Sequence, residues 1–166
     1  MSQDSRLSQT DAGDASHDGT LTVSADVAHV GDEVTLRGTG LPAERTLDLV
    51  WQTVDGYWKT TDANDVIGPR YEETERTLTT VTTDAEGKLE EQLVVPEDYG
   101  GDHTIELRTA GETAAEATLT VRPWFELDRT TAPLGESFRL TGYGLCPEDE
   151  RSNYQVTWDN GMLGIV

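Results

Sequence analysis

Apolar and polar residues alternate along most of this chain. Leu21 and Val23 share one side of a short segment, Val34 and Leu36 one side of the next, and Leu47, Leu49 and Trp51 one side of a third. Period two is the mark of a strand with one face buried, because successive side chains point to opposite sides of a sheet. The same reading predicts strands over residues 78–83, 88–95, 103–108 and 117–121, carried by Leu89, Leu93, Val95, Ile105, Leu107, Leu119 and Val121. Asp84, Ala85, Glu86 and Gly87 form a turn between two of them, and Pro96 ends the strand that follows. No segment sustains a helical period. Residues 112–117 come nearest, and they are too short.

The pattern repeats. Gly31, Leu36, Gly38, Gly40 and Leu41 recur as Gly135, Leu140, Gly142, Gly144 and Leu145, a constant offset of 135 − 31 = 104. Pro42 matches Pro147 after one extra residue, and Trp51 matches Trp158 at the end of an alternating segment. Each tryptophan is expected in a core. The pairs Asp55-Gly56 and Asn160-Gly161 follow, and such dipeptides are strong hairpin signals. The expected organisation is a leader or linker over 1–19, a first unit over 20–123, and the front half of a second unit over 124–166. The leader is too poor in apolar residues to order itself. Pro123 marks the boundary, and Trp124 and Phe125 are expected to wedge between the units. The second unit has counterparts only for the front of the first, so native sequence is expected to continue past Val166, with strand donation by a neighbouring subunit as the alternative.

Charge changes the picture of the solvent. Thirty-two acids face twelve lysines and arginines, a net −20, and only Lys59 and Lys88 are lysines. Such an excess repels itself in dilute buffer and is screened in molar salt, where the Debye length falls to about 3 Å. The acids are spread along the chain, so the expectation is a brine-adapted protein. The same charge argues against nucleic acid and anionic lipid as partners. No apolar run approaches the roughly 20 residues that cross a bilayer as a helix. The one cysteine, Cys146, allows no intrachain disulfide and reads as half-buried filler at a strand end.

These features together resemble a known family. About seven short strands in about 100 residues suit an immunoglobulin-like sandwich. The segments Val30-Gly31-Asp32-Glu33-Val34-Thr35-Leu36-Arg37-Gly38-Thr39-Gly40-Leu41-Pro42 and Thr82-Thr83-Asp84-Ala85-Glu86-Gly87-Lys88-Leu89 carry the resemblance, completed by Val94 to Ile105. They resemble the immunoglobulin-like modules (IPT/TIG and related types) strung along prokaryotic surface proteins. The resemblance covers residues 20–166 and implies an all-β tandem with an incomplete second copy, in an extracellular or cell-surface setting. The insert over 57–75 departs from the simplest modules.

Candidate chemistry is sparse. His17, His29 and His103 are scattered, and no nucleophile elbow, His-x-His or Cys-x-x-Cys occurs, so no enzyme is expected. Calcium is the one cofactor the loops suit, because turn carboxylates are its ligands. Asp62 and Asp65 are the preferred pair, on the premise that the insert is a long loop needing something to order it; Asp84, Glu86, Asp98 and Asp102 are weaker candidates. Tyr57, Trp58 and Tyr71 flank the insert and suggest a platform for glycans or another small ligand. The leading expectation is a non-catalytic structural or adhesion module whose partners are other protein modules or subunits. The alternatives are a glycan-binding module and the accessory domain of a secreted enzyme.

Overall fold

A computed structural model describes residues 19–62, 65–133, 135–146, 154–158 and 161–165. The leader expected over 1–19 lies outside them up to residue 18. The regular elements among the described residues are all strands: β1 (Thr20–Val23), β2 (Val27–Ala28), β3 (Glu33–Thr39), β4 (Thr46–Thr60), β5 (Val66–Thr82), β6 (Leu89–Val94), β7 (Gly101–Thr109), β8 (Glu112–Val121), β9 (Trp124–Leu127), β10 (Leu140–Tyr143), β11 (Gln155–Trp158) and β12 (Gly161–Ile165). The all-β class therefore stands.

Strands β1 to β8 form a three-stranded sheet in the order β1-β3-β6 and a five-stranded sheet in the order β2-β8-β7-β4-β5. The pairs are antiparallel except the short β2, which runs parallel to β8. The alternating residues meet in one core drawn from both sheets. Leu21, Val34, Leu36, Leu89 and Leu93 come from the smaller sheet, and Leu47, Leu49, Trp51, Ile105, Leu107, Leu119 and Val121 from the larger. Trp51 is fully buried, as its place in the repeat predicts. Each buried side chain of this size is worth roughly 1.5–3 kcal/mol of apolar transfer.

Two local expectations are corrected. Asp55-Gly56 makes no turn: it lies inside β4, with Asp55 opposite Glu72 and Gly56 opposite Tyr71. The insert is consequently no long loop but the outer part of a β4–β5 hairpin that runs to Thr60 and Val66. A dipeptide's turn preference, worth little alone, yields to a continuous ladder of backbone bonds. Residues 112–117 belong to β8, joined to β7 by a tight hairpin at Ala110 (φ 52°) and Gly111 (φ 86°). Two successive positive φ values match the right-handed twist of the strands they connect.

The β1–β3 pairing recurs 104 residues later in β9 and β10. Thr20 lies opposite Thr39 and Val23 opposite Leu36; Trp124 lies opposite Tyr143 and Leu127 opposite Leu140. Gly31 and Gly135 have φ of 89° and 90°, and Gly40 and Gly144 have 69° and 61°. The Ser24 N–H donates to the Thr35 carbonyl at 2.9 Å, and the Asp128 N–H to the Arg139 carbonyl at 3.0 Å. In return Thr35 N–H donates to the Ser24 hydroxyl and Arg139 N–H to Asp128 Oδ1, both at 2.9 Å. Strands β11 and β12 form a hairpin with Trp158 opposite Gly161; Asn160 and the side chain of Trp158 lie outside the described residues.

Trp124 stacks on Tyr143 of β10 at 4.8 Å, and Phe125 meets Tyr154, just before β11, edge-on at 5.2 Å. The turn after β10 touches the earlier strands. The Gly100 N–H donates to the Leu145 carbonyl at 3.1 Å. A Cβ on Gly100 would collide with the Gly144 carbonyl and sit 3.1 Å from Cys146 Sγ, so only glycine allows this approach. Cys146 is half-buried there.

Candidate functional site

A polar cleft lies where this turn meets the larger sheet. It measures about 580 Å³ and is lined by Thr53 of β4, Glu73 of β5, Tyr99, Asp102 and His103 around the start of β7, and Cys146. Its floor follows from strand alternation. His103 shares a face with Ile105 and Leu107, which takes its ring into the interior, 5% exposed. The ring stacks on Trp51 with centroids 4.4 Å apart. Nδ1 lies 2.9 Å from the Gln52 carbonyl and Nε2 2.9 Å from the Tyr99 carbonyl, so whichever ring nitrogen carries a proton has a backbone acceptor in reach.

Beside it, Asp98 is saturated with donors. Its carboxylate accepts from Trp51 Nε1 at 2.8 Å, Thr53 Oγ1 at 2.7 Å, Arg76 Nη2 at 3.1 Å and its neighbour's backbone, Tyr99 N–H, at 2.8 Å. The side chain is 8% exposed. Here a buried indole donor and a buried charge satisfy one another. Asp98 had been a weak calcium candidate; its four bonds make it a structural tie between the β6–β7 connection and β4.

A second tie crosses β4, β5, β7 and β8. Glu106 is buried and accepts from Gln52 Nε2 at 2.7 Å, Arg108 Nε at 2.8 Å and Thr113 Oγ1 at 2.6 Å. Arg108 Nη1 also reaches Glu75 at 2.8 Å. The hydrogen bond from Arg108 is the main reason the Glu106 carboxyl is held down to about 2; burial opposes it, and the bonds from Thr113 and Gln52 add to it. Arg108 is correspondingly raised, chiefly by its bond to Glu106 and then by that to Glu75. This carboxylate is committed to its partners and has the wrong bias for a general acid.

The residues singled out from sequence lie on the outer hairpin. Gly56 and Tyr71 are paired, as are Tyr57 and Arg70, so strand alternation puts Tyr57 on one face and Tyr71 on the other. Tyr57 is exposed and donates through its hydroxyl to Glu72 at 3.0 Å; this bond raises its hydroxyl's titration. Tyr71 is half-buried and edge-on to Tyr99 at 6.2 Å. Trp58 lies opposite Pro69, and its side chain is outside the described residues. Tyr57 and Tyr71 are thus not brought onto one platform. Asp62 and Asp65 are exposed at the hairpin tip. The tip is closed by Thr61 N–H to the Asp65 carbonyl at 2.9 Å and Asp65 N–H to Thr61 Oγ1 at 3.1 Å. These bonds tie the two ends of the tip to each other. Among the described residues no three His, Cys, Asp or Glu side chains are placed to share a metal.

Sequence reasoning missed His103, Asp98 and Glu106 as partners. For His103 the signal was present, since it keeps period with Ile105 and Leu107. For the two acids there was none, because neither stands out among 32.

No family profile and no curated protein matches the chain. Among solved structures, an alkylpurine DNA glycosylase of Pseudomonas fluorescens, bound to DNA containing an abasic-site analogue, is similar over 63% of this chain and 30% of its own, at 14% identity and a TM-score of 0.35. A sporulation control protein of Bacillus subtilis is similar over 62% of this chain and 48% of its own, at 13% identity and a TM-score of 0.33. The chain thus spans less than half of the length of either structure, and likenesses of this size carry no argument about it.

Proposed function

We propose that the chain is a non-catalytic structural or adhesion segment of a halophile's surface protein, built from an immunoglobulin-like sandwich over residues 20–123 and the front of a second such module. The observation that carries this reading is the recurrence of the β1–β3 hairpin in β9–β10 at a constant offset of 104 residues, with matched register, glycine φ values and reciprocal bonds. Tandem copies of one module in one chain are the economy of a spacer or multivalent binder, in which reach and repetition do the work. Several features support the immunoglobulin-like assignment. The sheets have three and five strands, β2 runs parallel to the last strand of the module at one edge, and a tryptophan sits at the centre of the core.

The reading as a non-enzyme is supported by the engagement of the buried ionisable groups, Asp98, His103 and Glu106, with other protein groups. The halophilic setting is supported by the net charge of −20. A glycan platform made of Tyr57, Trp58 and Tyr71 would need them on one face, and alternation separates Tyr57 from Tyr71. Expression of residues 19–123 alone in molar NaCl tests the modular reading. A dispersed amide spectrum and a cooperative melt are expected; a collapsed spectrum would mean that the two sets of strands share one core.

A further inference from the structure

The Tyr99–Gly100 peptide unit is held from both sides. Its carbonyl lies 2.9 Å from His103 Nε2, and its N–H donates to the Leu145 carbonyl at 3.1 Å. The C=O and N–H of a trans peptide lie in one plane and point opposite ways. One rigid unit therefore joins the buried imidazole to the turn after β10. On its other side the imidazole places Nδ1 2.9 Å from the Gln52 carbonyl of β4. A single line of contacts thus runs from β4 through the ring and the peptide to the later strands.

A carbonyl can only accept a hydrogen bond. Both ring contacts are hydrogen bonds only when both nitrogens carry protons, as in the imidazolium ion. The neutral ring has one N–H, and its other nitrogen turns a lone pair toward a carbonyl oxygen at 2.9 Å. The surroundings suit the cation. The Trp51 ring of β4 stacks on it with centroids 4.4 Å apart. Asp98 lies in the connection that carries Tyr99, bound to Trp51 and to Arg76 of β5. Glu73 of β5, Asp102 and Cys146 line the same cleft, and β8 places the apolar Leu119 opposite His103. The carboxylates of Asp98, Glu73 and Asp102 favour a positive ring, and Arg76, already spent on Asp98, opposes it.

The neutral ring must give up one contact, and the two carbonyls are not equally fixed. Gln52 lies in the β4–β5 ladder opposite Glu75. Tyr99 and Gly100 belong to no strand, and Gly100, lacking a Cβ, lets the peptide before it turn with little steric resistance. A turn that takes the Tyr99 carbonyl away from the ring takes the Gly100 N–H away from Leu145, because both sit on one plane. We infer that the Tyr99–Gly100 peptide is a proton-operated joint: the His103 imidazolium locks the β6–β7 connection onto the turn after β10, and loss of its second proton releases that hold. The joint does not depend on the protein's working at a cell surface, so its failure leaves the modular reading untouched.

The test reads the ring nitrogen shifts of His103 and the amide exchange of Gly100 together, on the intact chain in molar NaCl, from about pH 5 to about pH 8, the span in which imidazole ordinarily changes charge. The expected result is two protonated ring nitrogens at the acid end and one at the alkaline end. The protection of the Gly100 amide, taken relative to an unstructured peptide at each pH, should fall at least about tenfold, with the same midpoint as the ring. Leu49 of β4 and Leu107 of β7, paired across the ladder, should keep their protection. A ring that keeps one protonation state across the range, or one that titrates while Gly100 stays protected, would overturn the inference. So would an equal loss at Leu49 and Leu107, which would mean that the sandwich opens as a whole.

Discussion

The indole N–H of Trp51 donates to Asp98 Oδ2 at 2.8 Å, joining the most deeply buried aromatic side chain to a carboxylate 47 positions later in the chain. The pair pins the β6–β7 connection to the centre of β4. Gly100, two residues beyond Asp98, donates to Leu145, so the platform for the later strands is held from the core outward. Removing Asp98 leaves a buried donor unmet as well as an unpaired Arg76. Asp98→Ala should cost about 1–3 kcal/mol of unfolding free energy. With Trp51→Phe in the background, which removes the donor, the further cost of Asp98→Ala should shrink. Denaturant melts of the four proteins in this cycle measure the coupling, and additive effects would deny the bond its role.

Glu106 gives the protein an acid-labile element. Its carboxyl titrates near 2 in the folded state, below its ordinary value of 4.5, because Arg108, Thr113 and Gln52 all hold the charged form. Between those values the unfolded chain binds more protons than the folded one. Its contribution is complete above pH 4.5 and is lost as pH falls toward 2, and it amounts to about 3 kcal/mol at most. Glu106→Gln should therefore flatten the stability profile between pH 4.5 and 2 relative to the parent. Parallel profiles for the two proteins would show that the cluster does not hold the charge.

Two glycines separate strain from crowding. Gly31 has φ of 89° with open space where a Cβ would stand, whereas Gly87 has φ of 69° and its Cβ would collide with the Leu41 carbonyl. Gly31→Ala pays only for the left-handed backbone, about 1 kcal/mol. Gly87→Ala must also push the Leu41 turn off the core, and should cost clearly more in the same thermal melts. Equal losses would mean that the turn at Leu41 is not packed on Gly87.

What was legible in the sequence was local and periodic. Leu47, Leu49 and Trp51 announce β4 because alternation alone carries the information, and Gly31 and Gly135 announce their turns because positive φ selects glycine. The reach of β4 past Asp55-Gly56 was not legible. It depends on β5 offering partners as far as Val66, a pairing decided by the whole hairpin rather than by any dipeptide. The ties at Asp98 and Glu106 were hidden for a related reason. Trp51 and Arg76 lie 47 and 22 positions from Asp98, and Gln52 lies 54 from Glu106; even with Arg108 two positions from Glu106, in so acidic a chain a carboxylate carries no signal until its neighbours are known.

Salt should be a condition of stability. A net charge of −20 raises the energy of the compact state, and only high ionic strength screens it. The melting temperature should rise steadily from dilute buffer to molar NaCl. A flat or falling trend would remove the halophilic reading while leaving the fold unaffected.

The central claim is that one hairpin is built twice, and a single nuclear Overhauser spectrum in molar NaCl tests it most directly. Ser24 and Thr35, like Asp128 and Arg139, exchange bonds across the ladder, so the next pairs along are the close, non-hydrogen-bonded ones. The account predicts strong Hα–Hα cross-peaks both between Val23 and Leu36 and between Leu127 and Leu140. Finding the first without the second, or Leu127 paired in a shifted register, would contradict it.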